Sequence, residues 1–536
     1  MSAETTLAPP ANEAPSAEEH RKILVVMGAL MLGMFLASLD QTIVSTALPT
    51  IAGDLHGLNH LSWVVTAYLL TTTISTPLWG KLGDLYGRKN LFQLAIVVFL
   101  AGSMLSGLSQ NLAELVAFRA VQGIGAGGLM VGAQAIIGDV VPARQRGKYM
   151  GYFGAVFGLS WVAGPLLGGL FTQHLSWRWI FYINVPIGVL ALFVIAAVLH
   201  IPARRVHHKI DWAGTTLLSA GVTAIILMTS WGGGQYAWGS PTIIGLAVGG
   251  AALLVAFCLV ETRAVEPIIP LGLFKNRTFT SASLLGLILG FAMFGAIVYL
   301  PLYLQTVHGA TPTSSGLELL PLIVGMLSTF ILSGRLVTRT GRYKIFPIVG
   351  SAILTVGLYL LTLLGPHTSF ATASVYMFVV GLGIGCIMQV LVVAVQNAVP
   401  YSQLGVATST STFFRTIGGA FGVSVLGAVF SSKLLSQLTA HANAAQLKLI
   451  NGGNVTANPA QISHLPPGQR VVFVDAFSHA LQTVFWVSVP FAILAFALSW
   501  VMKEIPLRTS AQPSPADVVA VDAGEPVAVT AGLADL

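Results

Sequence analysis

Long apolar stretches, separated by short breaks rich in charge, Gly or Pro, run through the chain from residue 23 to residue 501. A membrane-crossing helix needs about 20 largely apolar residues, and breakers mark its ends. Fourteen stretches meet that description: 23–49, 61–80, 91–108, 113–138, 149–172, 179–199, 212–231, 242–260, 280–304, 315–337, 345–364, 371–397, 404–431 and 477–501. The pattern predicts an all-α polytopic membrane protein.

Composition agrees. Of 536 residues, 55% are hydrophobic and 8% charged, against roughly 25% charged in an ordinary soluble domain. A soluble enzyme and a disordered chain are both excluded. The mean hydropathy of +0.81 covers the whole length, so lipid is the main solvent. Residues 1–20 are polar and lack the basic start and short apolar core of a signal peptide, which predicts a disordered tail. Cys258 and Cys386 sit in separate apolar runs, and neither a disulfide nor a zinc site is readable.

The charge of +7 gains meaning once sorted by side. With a cytoplasmic N-terminus, twenty of the 26 Lys and Arg fall on the inner side. Arg178, Lys433, Lys448 and Arg470 fall outside, and only Arg119 and Arg415 lie within spans. The positive-inside rule then places both termini in the cytoplasm and requires an even number of spans. The one long loop, 432–476, is external. It holds the sequon Asn454-Val455-Thr456, which matters only in a host that glycosylates.

The loop after the second span runs from Gly80 to Lys89, and the loop after the tenth from Gly334 to Lys344. Gly80, Leu82, Gly87 and Arg88 are matched by Gly334, Leu336, Gly341 and Arg342, always 254 residues on. Both copies lie on one side, so the repeat is parallel, as in transporters built of two similar halves. The expected layout is a tail at 1–20, a six-helix bundle at 21–202, two inserted helices at 203–262, a second six-helix bundle at 263–503 and a disordered tail at 504–536. Chance similarity between two short basic loops is the competing reading.

Five ordered motifs carry a resemblance over nearly the whole chain. They are Leu39-Asp40-Gln41-Thr42 through Pro49, the Gly80–Lys89 loop, Arg119 through Gln122-Gly123, Gly158 through Gly164-Pro165 with Gly168-Gly169, and Trp177-Arg178-Trp179 through Asn184-Val185-Pro186. Together they resemble the fourteen-span drug:proton antiporters of the major facilitator superfamily, the EmrB and QacA type. The resemblance implies the major facilitator fold, proton-coupled multidrug efflux with antibiotic resistance as its outcome, and a cavity lined by spans 1, 4, 9 and 12. It also implies that Gly80, Asp84, Gly87, Arg88 and Asp139 form a gating charge relay, and that the Gly158–Gly169 pattern marks exporters. For the relay the competing reading is a solvated basic loop. For the span 5 glycines it is packing alone, with Pro165 bending the helix.

Other residues speak for themselves. An acid inside a membrane is costly and is a functional candidate by default, and Asp40 is such an acid. It lies about 12 Å from the outer end of its span, and Arg119 lies about 9 Å from the outer end of the fourth, so the two can meet. Asp40 either exchanges protons under the control of Arg119, or caps a helix break, or is a satisfied core acid. Gly123–Gly128 fits G-x-G-x-x-G but follows no strand, which speaks against nucleotide binding. No P-loop appears, so ATP is not the energy source visible in this chain; the resemblance implies protons as the coupling ion and no cofactor.

In the second half, Tyr299, Tyr303, Gln305 and Gln389, with Gln122, Trp161 and Phe414, are the expected cavity wall. Aromatic faces suit bulky, often cationic compounds. Arg415 faces either a cavity anion or structural carbonyls, and Glu318 is a second proton site or a rim acid. Trp63, Trp177 and Trp179 read as an interfacial belt. The expected protein is a monomeric exporter of bulky hydrophobic or cationic compounds, with no nucleic-acid partner. A dedicated exporter of one lipid, siderophore or natural product shares every motif, whereas an enzyme lacks a polar constellation.

Overall fold

The computed structural model describes residues 17–55, 62–199, 210–233, 235–441 and 466–508. The sequon at Asn454, most of the N-terminal tail and residues 509–536 lie outside the described residues. The first half comprises α1 (Ala17–Asp54), α2 (Ser62–Tyr86), α3 (Arg88–Leu108), α4 (Leu112–Val140), α5 (Ala143–His174), α6 (Trp179–Tyr182) and α7 (Asn184–Val198). Next come α8 (Trp212–Trp231) and α9 (Pro241–Glu261). The second half comprises α10 (Arg277–Val307), α11 (Pro312–Glu318), α12 (Leu320–Thr340), α13 (Ile345–Leu361), α14 (Phe370–Ala398), α15 (Leu404–His441) and α16 (Pro467–Val501).

Helix starts follow local chemistry. Asn111 caps α4 by accepting from the Glu114 amide at 2.9 Å, and Glu114 returns a bond to the Gln110 amide. Asp211, Ser240, Asn276 and Ser369 cap α8, α9, α10 and α14 in the same way. Each cap satisfies an amide that has no partner within its helix.

Twelve described helices are long and apolar enough to cross a membrane, where the sequence pattern gave fourteen stretches. The two that differ are α2 and α13. Helix α13 has 17 residues and is short, while α2 carries the polar run Thr71-Thr72-Thr73-Ile74-Ser75-Thr76. That polarity is satisfied within the helix: the hydroxyls of Thr71, Thr72, Thr73 and Thr76 each donate to the carbonyl four residues back at 2.7–2.9 Å. A helix this polar can therefore lie buried among apolar neighbours.

The Gly123–Gly128 run explains how α4 sits between two neighbours. A Cβ on Gly123 would stand 2.4 Å from the Tyr68 carbonyl oxygen of α2, and one on Gly125 would stand 2.4 Å from the Phe99 nitrogen of α3. These glycines serve close helix packing rather than a phosphate. Helices α8 and α9 pack on each other, with Gly221 against Leu254. Helix α8 docks on α2 and α15 through Leu218, Val222 and Ile226 around Phe413. Ile244, Val248, Val255 and Leu259 of α9 stay exposed, as residues facing lipid do.

Several expectations change. The outer loop is shorter than 432–476, because α15 runs to His441 and α16 starts at Pro467. Residues 504–508 are not a disordered tail but part of a strap, 502–508, laid across the end that carries Lys81, Arg88, Arg144 and Arg342. We call this the basic end. In the strap the Ile505 amide donates to the Tyr343 hydroxyl at 2.9 Å, Glu504 accepts from the Tyr343 amide at 2.9 Å, and Asn397 donates to the Ile505 and Pro506 carbonyls at 3.1 Å. Arg508 accepts from the Arg144 amide of the first half at 3.2 Å. Trp177 leaves the interfacial belt: it is 1% exposed and donates to Asp54 at 2.9 Å, fastening the end of α1.

Candidate functional site

Asp40 lies on an unbroken α1, so it caps no helix break. Its carboxylate is fully buried between α1, α4 and α7. Arg119 Nη1 donates to Asp40 Oδ2. Gln122 Nε2 donates to Asp40 Oδ1 at 2.8 Å, while its own oxygen accepts from Arg119 at 2.8 Å. Asn184 Nδ2 lies 3.5 Å from Asp40 Oδ1 and 3.0 Å from Ser103 Oγ. Arg119 also lies over the Tyr68 ring, 4.1 Å from its centroid. A buried ion pair holds only when its remaining lone pairs and protons find partners. Here Gln122, Asn184 and Tyr68 fill that role, and Asn184 of α7, named above only as part of the Trp177–Pro186 motif, gains a role there. The signal was visible as a lone amide in an otherwise apolar span.

The expected relay residues come together at the basic end. Gly87 ends α2 at φ 96° and lets α3 start at once. Arg88, 7% exposed, donates to Asp84 and Asp139. Asp84 also accepts from the amides of Gly405 and Val406, at 3.0 and 2.8 Å, where α15 begins in the second half. An acid at a helix N-terminus meets unsatisfied amides and the positive end of the helix dipole. One carboxylate thus joins the two halves.

The second copy of the repeat matches in backbone and differs in charge. Gly341 takes φ 71°, as its partner Gly87 takes a left-handed value. Gly80 lies against α15 and Gly334 against α5: a Cβ would stand 2.6 Å from the Gly405 oxygen in one case and 2.1 Å from the Gly147 oxygen in the other. Arg342 is exposed, and Thr338 bonds back to Gly334, so this copy holds no relay. Three amides or guanidinia add bridges that the sequence reading missed. Gln389 donates to the Gly147 carbonyl at 2.5 Å, Gln396 to the Gln134 carbonyl at 3.0 Å, and Arg146 approaches Gln396 at 3.4 Å.

The small residues of α5 divide between two neighbours. Gly164 and Gly168 receive Thr42 and Ile43 of α1, Gly158 receives Ile323 of α12, and Gly169 is buried. Pro165 abuts Gly316 of α11. Trp161 packs on the core of the second half.

Part of the expected cavity wall lies elsewhere. Tyr299 turns into the second core beside Phe430, and the Tyr303 hydroxyl donates to the Gly365 carbonyl at 3.0 Å. Phe414 packs with Phe274 and Phe413 toward α8. Gln305 is held by Ser315 at 2.9 Å. Glu318 keeps a buried oxygen without a partner among the described residues. Arg415, half-buried on α15, has no hydrogen bond or ion pair among the described residues.

Two helical halves thus meet at repeated glycine crossings around buried polar clusters, and the comparisons with known proteins place this architecture among membrane transporters, which are not enzymes. The chain belongs to the Major Facilitator Superfamily, whose family model matches residues 30–423. It is 42% identical over 483 residues to an uncharacterised MFS-type transporter of Mycobacterium tuberculosis, covering 90% of this chain and 70% of that one. It is 38% identical over 521 residues to the multidrug transporter protein MdtP of Bacillus subtilis, covering 91% and 94%. Its fold matches the proton:xylose symporter XylE with a TM-score of 0.61 at 15% identity, over 92% of this chain and 98% of that one.

Proposed function

We propose that the protein is a proton-driven exporter of bulky, largely hydrophobic compounds, built on the fourteen-span plan of the EmrB and QacA type. In this reading α2 and α13 cross the bilayer with the other spans, and residues 21–202 and 263–503 rock against each other. The protein sits in the cell membrane with its basic end in the cytoplasm, as the distribution of Lys and Arg supports. MdtP, similar over nearly its full length, is named a multidrug transporter, which supports efflux.

The observation that carries the proton step is the buried cluster of Asp40, Arg119, Gln122 and Asn184. A proton arriving at Asp40 removes its charge and so weakens the hold of Arg119. The guanidinium then keeps Gln122 and the Tyr68 ring as partners, while α1 and α4 are released from their strongest bond. At the basic end, Asp84 and Arg88 hold the halves together until that change lets them part. Protonation at one site and opening at the other then belong to one two-state transition.

Reconstitution into liposomes with a pH gradient tests this. The movement of a cationic, an uncharged and an acidic hydrophobic compound (ethidium, Nile red and deoxycholate) is followed together with lumenal pH, and protons are expected to flow against whichever of them is transported. Asp40→Asn keeps the shape and cannot take up a proton, so gradient-driven export should fall at least about tenfold, the scale of one charge-assisted bond. Full proton-driven export by that variant would overturn the reading.

A further inference from the structure

Arg415, half-buried on α15, stands apart from the buried cations. Arg119 is neutralised by Asp40, Arg88 by Asp84 and Asp139, and Arg146 is held by the carbonyls of Gly138 and Val141 at 2.6 and 2.8 Å. Arg415 is only half-buried, and it has none of these partners among the described residues. It lies eleven residues into α15, about 16 Å along the helix and so near mid-membrane.

Its surroundings are marked out by the residues that share its helix face. Leu404, Thr408, Ser411 and Arg415 share one face. On that face Leu404 abuts Gly138 of α4, and Thr408 accepts from Gln396 of α14 at 3.2 Å. That face of α15 thus meets α4 of the first half at Leu404 and α14 and α10 of the second half at Thr408, Ser411 and Arg415. Beside it α10 presents Gly286 and Gly290, the latter lying directly on the Arg415 carbonyl. No side chain from those two positions covers the guanidinium. Asp40 is already taken, so the unpaired charge at this depth is positive.

We propose that Arg415 recognises an acid group on the transported compound, so that the substrates are amphiphiles carrying a carboxylate, sulfonate or phosphate. This rests on the exporter reading and names its substrate class. A guanidinium stays charged at neutral pH and offers paired donors that match a planar acid group. Near mid-membrane, such a pair forms where water competes weakly, and the apolar body of the ligand meets the surrounding helices. A cationic compound would meet like charge there.

The test compares deoxycholate with its uncharged methyl ester, binding each to the full chain in phosphatidylcholine nanodiscs without any gradient. The expected result is that deoxycholate binds about tenfold tighter than the ester, and that Arg415→Gln brings acid and ester to the same affinity. Arg415→Lys keeps the charge and should retain part of the preference, which separates recognition from a folding defect. Equal binding of acid and ester, no binding of the acid, or a preference that survives Arg415→Gln overturns the proposal. Adding phosphatidylglycerol distinguishes the other source of an anion: if it displaces deoxycholate, the site belongs to a lipid headgroup and the proposal fails. Because binding is read without a gradient, failure of proton-driven export would leave this result standing on its own.

Discussion

Placing a methyl group on Gly334 tests whether the glycine crossings hold the basic end shut. In Gly334→Ala the new Cβ would stand 2.1 Å from the Gly147 carbonyl oxygen, where real Cβ contacts are essentially never below 3.0 Å. The obstacle is backbone, so α5 and α12 must part locally by about 0.9 Å, at an overpacking cost of about 1–3 kcal/mol. The same Cβ would stand 3.0 Å from Gln389 Nε2, whose bond to the Gly147 carbonyl is 2.5 Å long. Loss of that bond adds about 1 kcal/mol. Together, about 2–4 kcal/mol lowers the ratio of closed to open basic end roughly 30- to 700-fold. Spin labels at exposed Lys148 and Arg339, in a background with Cys258 and Cys386 replaced by Ser, report the separation of the halves. A longer distance component should appear in Gly334→Ala and be absent from Gly245→Ala, whose Cβ meets open space. If the Gly334 variant gave the parent distribution, the crossing would not be what keeps this end closed.

Two smaller perturbations probe the same end. Asp84→Asn weakens bonds to Arg88 and to the Gly405 and Val406 amides, each worth about 1.5–3 kcal/mol with a charged acceptor; transport should fall at least tenfold at unchanged monodispersity, and wild-type transport would detach Asp84 from gating. Tyr343→Phe removes the hydroxyl that accepts from the Ile505 amide, so stability should drop by about 1 kcal/mol. That loss is read from the denaturation midpoint of the purified protein, and an unmoved midpoint would mean that the strap adds nothing to the fold.

Charge was legible in the sequence because lipid makes it conspicuous. Asp40 and Arg119 stood out in apolar runs, and rise per residue brought them to similar depth, where the structure pairs them. The glycine repeat was legible for a related reason, since Gly87 and Gly341 are needed wherever the chain turns through positive φ. Side-chain direction on α10 and α15 was not legible. A helix buried in a membrane bundle is apolar toward lipid, core and cavity alike, so no periodicity distinguishes the inward turn of Tyr299 and Tyr303 from a cavity wall. Phe414 and Arg415 are adjacent in sequence and face different neighbours for the same reason. The amide bridges of Gln389 and Gln396 needed the partner half to be in place, and no local pattern announces a carbonyl contributed by a distant helix.

The strap is unevenly anchored. It is tied to the second half through Thr278, Tyr343 and Asn397, but reaches the first through the Arg144–Arg508 backbone bond and through Leu507, which packs against the cores of both halves. In the proposed rocking of the halves, the strap stays with the second half, to which more of its bonds run, and the Arg144 bond and the Leu507 contact are what give way. It behaves as a hasp with one catch: a short piece of chain after the last helix that resists the start of the opening stroke and adds nothing once the stroke has begun.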